Sequence, residues 1–195
     1  PYGDLDGDGQ PDVPVGRLTA DSSIELERIV DKILRYESES GFGPWRRRIN
    51  FVAGVGGFGM MADAVIEMSA KRLITEGVPP GFETSMTYGS WRSPYCPDPR
   101  RFHQATVDRL NEGCLFWVYI GHGQRTYLDW VKVPGRTYHI LDYNDIRALS
   151  CRDGLPIAVM LSCYTAAFDK PEDCLAEEML RCPGAPVAVV GATRV

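Results

Sequence analysis

The chain is 195 residues long, 44% hydrophobic and 24% charged, with 20 Gly and 14 Pro, which fits one loop-rich globular domain and excludes a disordered or fibrous protein. Its 21 basic and 26 acidic residues give a formal charge of −5, which argues against nucleic acid or an anionic membrane as the main partner. The longest mostly apolar stretch, Leu155 to Phe168, carries Ser162, Cys163, Tyr164 and Thr165 and falls short of the roughly 20 apolar residues that cross a bilayer, so no membrane span is expected.

The first residue is Pro1 rather than Met. No signal peptide is legible, and the chain reads as a piece of a longer polypeptide. An acidic run follows at once, Asp4-Leu5-Asp6-Gly7-Asp8-Gly9-Gln10-Pro11-Asp12. Carboxylates at alternate positions followed by glycine match the first half of an EF-type calcium loop, with Asp4, Asp6, Asp8 and Asp12 as candidate ligands. Position twelve of such a loop is Val15 rather than a bidentate Glu, and no flanking helices are expected. An ion held there would be structural. The other reading is a solvated acidic turn.

Next, Pro11 to Leu18 reads as a short strand. Ser22-Ser23-Ile24-Glu25 is a capping box that opens a helix to about Tyr36, with Leu26, Ile29, Val30 and Ile33 on one apolar face. Gly41 to Arg48 is a loop, Asn50 to Gly54 a strand, and Met60 to Glu76 a helix stopped by Gly77 and Pro79. A weaker strand is expected at Glu83 to Tyr88. A proline-rich loop at Gly89 to Arg101 then leads into a helix to about Asn111. Leu115 to Ile120 and Pro156 to Leu161 are continuous apolar runs, the pattern of strands buried on both faces. A helix from Pro171 to Arg181 precedes a last strand at Val187 to Val190. Alternating strands and helices predict an α/β domain with a mostly parallel sheet.

Six cysteines are present (Cys96, Cys114, Cys151, Cys163, Cys174, Cys182) without C-x-x-C spacing, which speaks against a zinc ribbon or a thioredoxin-type site and leaves disulfide pairing open. Gly54-Val55-Gly56-Gly57-Phe58-Gly59 has the form of a dinucleotide-binding loop, yet no acidic residue ends a strand about 20 residues on, so no organic cofactor is expected.

The two apolar runs end in Gly121-His122-Gly123 and in Ser162-Cys163. In open α/β sheets, ligands bind beyond the carboxyl ends of the strands, so a His past one strand and a Cys at the tip of another share a rim. A thiolate is a strong nucleophile, and a nearby imidazole helps form it and protonates a leaving amine. Gly123, lacking a Cβ, lets its backbone N–H approach a developing oxyanion. These parts suit acyl transfer. Taken singly, each residue also has a packing explanation, the Cys as a small hydrophobe and the His as a turn residue.

The order of motifs resembles the gingipain family of cysteine peptidases. Val15-Gly16-Arg17, Tyr36-Glu37, Tyr119-Ile120-Gly121-His122-Gly123, Trp130, Ser162-Cys163, Phe168-Asp169, Cys174-Leu175-Ala176-Glu177 and Val187 to Thr193 carry it nearly end to end. The resemblance implies a caspase-like three-layer sandwich and a cysteine endopeptidase acting on protein or peptide substrates. His122 would be general acid/base, Cys163 the nucleophile, and the N–H groups of Gly123 and Cys163 the oxyanion hole. It also implies a secreted or cell-surface setting, and further strands and pocket residues beyond Val195. Residues 1–40 then form the acidic loop, strand and connecting helix, and 41–195 the catalytic domain.

Asp63 falls near the carboxylate that arginine-specific members keep in the pocket for the residue before the scissile bond. In its other reading it is a favourable first-turn helix charge. Two departures stand out. Val55 occupies the place of the family's acidic residue, leaving a Cys–His dyad or a different orienting group. Thr165 stands where the family tends to have Gly. The rival expectation is an inactive gingipain-like domain used as a calcium-stabilised interaction or processing module.

Overall fold

The computed structural model describes residues 2–38, 42–54, 68, 72, 76–89, 95 and 98–194. The expected helix at Met60 to Glu76 (up to Glu76 itself), with Asp63, the position Val55, most of the glycine loop after Gly54, Cys96 and the boundary between residues 40 and 41 lie outside or largely outside them.

Helix α1 is Ser23–Ser38. Strand β1, Arg48–Ala53, follows a one-turn 3₁₀ segment at Pro44–Arg47. Strand β2 is Glu83–Tyr88, helix α2 Phe102–Asn111 and strand β3 Phe116–Ile120. A hairpin of β4 (Trp130–Val133) and β5 (Arg136–His139) and a short helix α3 (Tyr143–Arg147) separate β3 from β6 (Ile157–Leu161). Helix α4, Leu175–Arg181, leads to β7, Ala188–Gly191. The five main strands form one parallel sheet in the order β2-β1-β3-β6-β7.

One face of the sheet is sealed. Val52, Trp117, Tyr119, Ala158 and Met160 pack there with Phe102 and Leu110 of α2, Ile146 of α3, Leu175 and Met179 of α4, and Leu128 and Val131 of the hairpin. Against the other face, Ile33 and Tyr36 of α1 meet Ile157, Val187 and Ala188. Helices on both faces of a parallel sheet make three layers. Asn50, fully buried in β1, is satisfied by donating to the Arg109 carbonyl (3.1 Å) and accepting from the Ser85 hydroxyl (2.6 Å).

Three expectations change. Pro11 to Leu18 is exposed and joins no strand among the described residues; Pro11 and Pro14 lack ladder donors, and the Asp12 and Val13 N–H groups turn back to the Gly3 carbonyl (2.7 and 3.2 Å). Helix α4 starts at Leu175 rather than near Pro171, with Cys174 as its N-cap; the Cys174 N–H donates to Glu177 (2.8 Å), which fixes the start. Only β1 is buried on both faces. Strands β3 and β6 alternate, with Trp117, Tyr119, Ala158 and Met160 sealed while Leu161 is 57% exposed. Both faces carry apolar side chains, so composition shows no alternation where burial does.

The amino-terminal helix is clamped to the far end of the chain. The Lys32 ammonium, 3% exposed, donates to the carbonyls of Met179 (2.8 Å), Cys182 (3.0 Å) and Pro186 (3.0 Å). It thereby caps the last turn of α4 from outside that helix. Burial pushes this amine down to about 7; Cys182 opposes that shift and Arg35 adds to it. Arg181 pairs with Asp173 (2.6 Å), Asp21 (3.1 Å) and Glu25 (3.5 Å), fastening the start of α1 to α4.

Candidate active site

Strands β3 and β6 are neighbours in parallel register, Ile120 opposite Leu161. His122 and Cys163 therefore both stand two residues past the carboxyl end of their strands, on one rim. The ladder continues beyond the strands, Gly54 N–H donating to the Ile120 carbonyl (2.8 Å) and Gly121 N–H to that of Leu161 (3.4 Å). His122, Gly123 and Cys163 line one cleft of about 370 Å³, with Tyr127, Asp129, Trp130 and Tyr164 among its other walls.

The glycines are required by close approach. A Cβ on Gly121 would lie 2.6 Å from the Tyr119 hydroxyl, and one on Gly123 would lie 2.8 Å from Thr165 Cγ2 and 2.9 Å from Ser162 Oγ. Gly123 is thus pressed against the turn that carries Cys163. That turn holds strain, since Tyr164 adopts φ 58°, a left-handed conformation costly for a bulky residue. Its neighbours over-determine it. Thr165, fully buried, exchanges hydroxyl contacts with Ser162 (3.4 Å), the Ala176 N–H donates to the Thr165 carbonyl (3.0 Å), and the Ala166 N–H donates to that of Ala192 (3.1 Å). Thr165, where the family tends to have Gly, is outside the left-handed region, which Tyr164 occupies instead.

The His122 loop is held from beneath. The fully buried Tyr119 hydroxyl donates to the His122 carbonyl (2.7 Å) and accepts from the Asp129 N–H (3.3 Å). Burial pushes this phenol well above its usual range, so it remains a neutral donor. Beyond the loop, Arg125 donates to the carbonyls of Ala167 and Glu172, tying the histidine loop to the segment after the cysteine turn.

The cysteines divide by environment. Cys114 and Cys174 are buried, and burial pushes their thiols up to about 12 and about 11. Cys182 is pushed up to about 12 by burial and by the Glu178 carboxylate its thiol donates to (3.2 Å). Such thiols resist ionisation and are poor nucleophiles. Cys163 instead is partly exposed, unpaired in any disulfide, and faces a cleft with a histidine.

Sequence reasoning missed Tyr119 and Asp129. Tyr119 was hidden inside an apolar run, with only its hydroxyl as a signal. Asp129 sits seven residues past His122 in a hairpin approach that carries no motif. It brings a carboxylate to the cleft; its Oδ1 accepts from the Trp130 N–H (2.7 Å), and its Oδ2 lies 3.2 Å from where a Gly54 Cβ would be.

At the amino terminus Asp4, Asp6 and Asp8 bring carboxylate oxygens within 4.8 Å of one another. The Asp12 carboxylate accepts from the Leu5 N–H (2.7 Å) and so closes the loop.

The sheet order, the three layers and the rim residues define a caspase-like domain of the gingipain type. The chain belongs to peptidase family C25, whose profile matches residues 1–195. It is 25% identical over 183 residues to the Lys-gingipain of Porphyromonas gingivalis, a match covering 92% of this chain and 10% of that protein. The chain thus spans about a tenth of the length of the curated relatives it matches. The crystal structure of the Arg-specific cysteine proteinase gingipain R shares the fold at TM-score 0.72 and 20% identity, covering 99% of this chain and 43% of that one. A complex of the pro- and mature domains of RgpB from P. gingivalis matches at TM-score 0.70 and 22% identity, over 99% and 44%. Among the described residues no helix is long and apolar enough to cross a membrane.

Proposed function

We propose that this domain carries the catalytic pair of a cysteine endopeptidase, with Cys163 as nucleophile and His122 as general acid/base. The observation that carries the reading is their convergence, with Gly123, on one cleft at the carboxyl ends of adjacent strands. His122 takes the thiol proton, and the thiolate sulfur attacks the scissile carbonyl carbon. The backbone N–H groups of Gly123 and Cys163 receive the oxyanion. His122 then gives its proton to the leaving amine, and water hydrolyses the thioester.

Asp129 is the cleft's carboxylate in this reading, serving in place of the acid absent at Val55. Relatives named for Lys and Arg support a basic residue before the scissile bond; Asp63 is the carboxylate we assign to it. Asp4, Asp6 and Asp8 hold a structural calcium ion, supported by the convergence of their oxygens, and calcium use fits an extracytoplasmic setting.

The test is intact mass after treatment with peptidyl ketones bearing Arg, Lys or a neutral residue at the first position, in calcium. A single adduct that disappears in Cys163→Ala and depends on the probe supports the reading. Labelling spread over several cysteines, or none even in a chain extended past Val195, supports the inactive interaction module instead.

A further inference from the structure

The chain has three histidines, and the two outside the cleft meet. His103 in the first turn of α2, His139 at the end of β5 and Asp145 in α3 place one ligand atom each within 4.8 Å of one another. We propose that these three side chains form a zinc site, open at its fourth position, behind the Trp130 wall of the cleft. It stands whether or not the cleft is catalytic.

The donor atoms set the argument. His103 Nδ1 lies 3.2 Å from the Ile140 carbonyl. A carbonyl only accepts, so Nδ1 carries the hydrogen and Nε2 of the neutral ring presents a lone pair. That lone pair faces Asp145 Oδ1 at 3.4 Å, and His139 Nε2 faces Oδ2 at 3.2 Å. Without an ion, the neutral His139 ring donates its Nε2–H to Asp145; with that hydrogen on Nδ1 instead, both rings present an Nε2 lone pair toward the carboxylate, an arrangement a metal ion would bridge.

Two features favour the metal. One ligand atom from each residue already lies within 4.8 Å of the others, and contraction to the roughly 3.3 Å spacing set by ligand bonds of about 2.0–2.1 Å in a tetrahedron closes the site on one carboxylate oxygen. The imidazole rings also lie side by side, tilted by 40° with centroids 4.2 Å apart, so that both Nε2 atoms reach the same carboxylate.

The carboxylate is pre-positioned as well. Asp145 Oδ2 accepts the Asp142 N–H (2.8 Å) in the capping box of α3. Side-chain exposures of 28%, 34% and 16% leave a route in and room for a water as fourth ligand. Two imidazoles and a carboxylate suit zinc better than calcium or magnesium, which take oxygen ligands. The Trp130 ring meets His139 edge-on at 5.9 Å and lines the cleft on its other side, so an ion here would stiffen that wall.

The test uses chelator-stripped protein carrying Cys163→Ser and His122→Ala, which removes the competing thiol–imidazole pair. We expect one equivalent of Zn²⁺ to bind, and Co²⁺ in its place to show the visible bands of a four-coordinate nitrogen/oxygen site. His139→Gln on the exposed hairpin and Asp145→Asn should each weaken binding by more than about 100-fold, beyond the 10–100-fold typical of losing an outer-shell partner, with circular dichroism unchanged. Zinc binding that survives both substitutions would overturn the proposal. So would an equivalent present in the unsubstituted protein and lost on the Cys163→Ser, His122→Ala background. A third contrary outcome is ¹⁵N NMR showing His103 protonated on both nitrogens at pH 8 in the presence of excess Zn²⁺.

Discussion

Two polar assemblies frame the same sheet, and they are built on opposite terms. At the carboxyl rim of β3 and β6, His122, Cys163 and Asp129 surround an open cleft, glycines bring backbones into contact, and Tyr164 is held in a costly conformation. Beside β7, Lys32 is sealed, with three carbonyls around one ammonium group. The rim keeps its chemistry accessible at the expense of strain, whereas the clamp saturates its valences and offers nothing to a ligand. Polar burial alone therefore does not make a candidate site; what sets the rim apart is that its polar groups share an open cleft.

Gly123→Ala should break the rim most severely. Its new methyl meets Thr165 and Ser162 at 2.8–2.9 Å, so the N–H must shift. Probe labelling of Cys163 should slow by about 10²–10³, the scale of losing one oxyanion donor, with near-ultraviolet circular dichroism retained. Labelling at the original rate would remove Gly123 from the reaction.

Lys32→Met should break the clamp without touching the rim. Orphaned carbonyls destabilise the fold by about 2–3 kcal/mol in urea denaturation, while the labelling rate of the folded fraction holds. The effect is pH-dependent. Between pH 7 and about 10.4 the unfolded chain keeps a proton on Lys32 that the folded chain has released. The original protein should gain stability with rising pH over that window, and the variant should lack this gain. Parallel pH profiles would count against it.

Tyr119→Phe sharpens the comparison, because this phenol is buried like the clamp yet serves the rim. Losing its bond to the His122 carbonyl should cost about 1 kcal/mol of stability and slow labelling about tenfold. A change in stability alone would make Tyr119 a core residue only. The smallest effect concerns the acidic loop. Calcium should raise the melting temperature by a few degrees, on the order of ΔΔG 1 kcal/mol, and Asp6→Asn should abolish that rise.

The main lines of the fold were legible because the strands are apolar runs closed by glycine, as at Gly121, and α1 announces itself by a capping box. The rim was legible because His122 and Cys163 end such runs. The β4–β5 hairpin was not foreseen, although its Pro134-Gly135 turn, with Gly135 at φ 80°, carries a turn signature. Its strands are four residues each, Trp130-Val131-Lys132-Val133 and Arg136-Thr137-Tyr138-His139, too short for alternation to register. His103, His139 and Asp145 lie on three elements with no fixed spacing, so only tertiary packing brings them together. Lys32 reads as a surface residue of an amphipathic helix until the carbonyls it meets are known.

Those carbonyls belong to residues 147 to 154 positions further along the chain. During synthesis at roughly 5–20 residues per second, α1 leaves the ribosome on the order of ten seconds before its acceptors do. Helix α1 is thus made well before the segment that docks it. A ribosome stalled anywhere before Pro186 would carry a nascent chain in which α1 lacks its full set of acceptors and stays open to proteases, and completion of that one short segment locks it down.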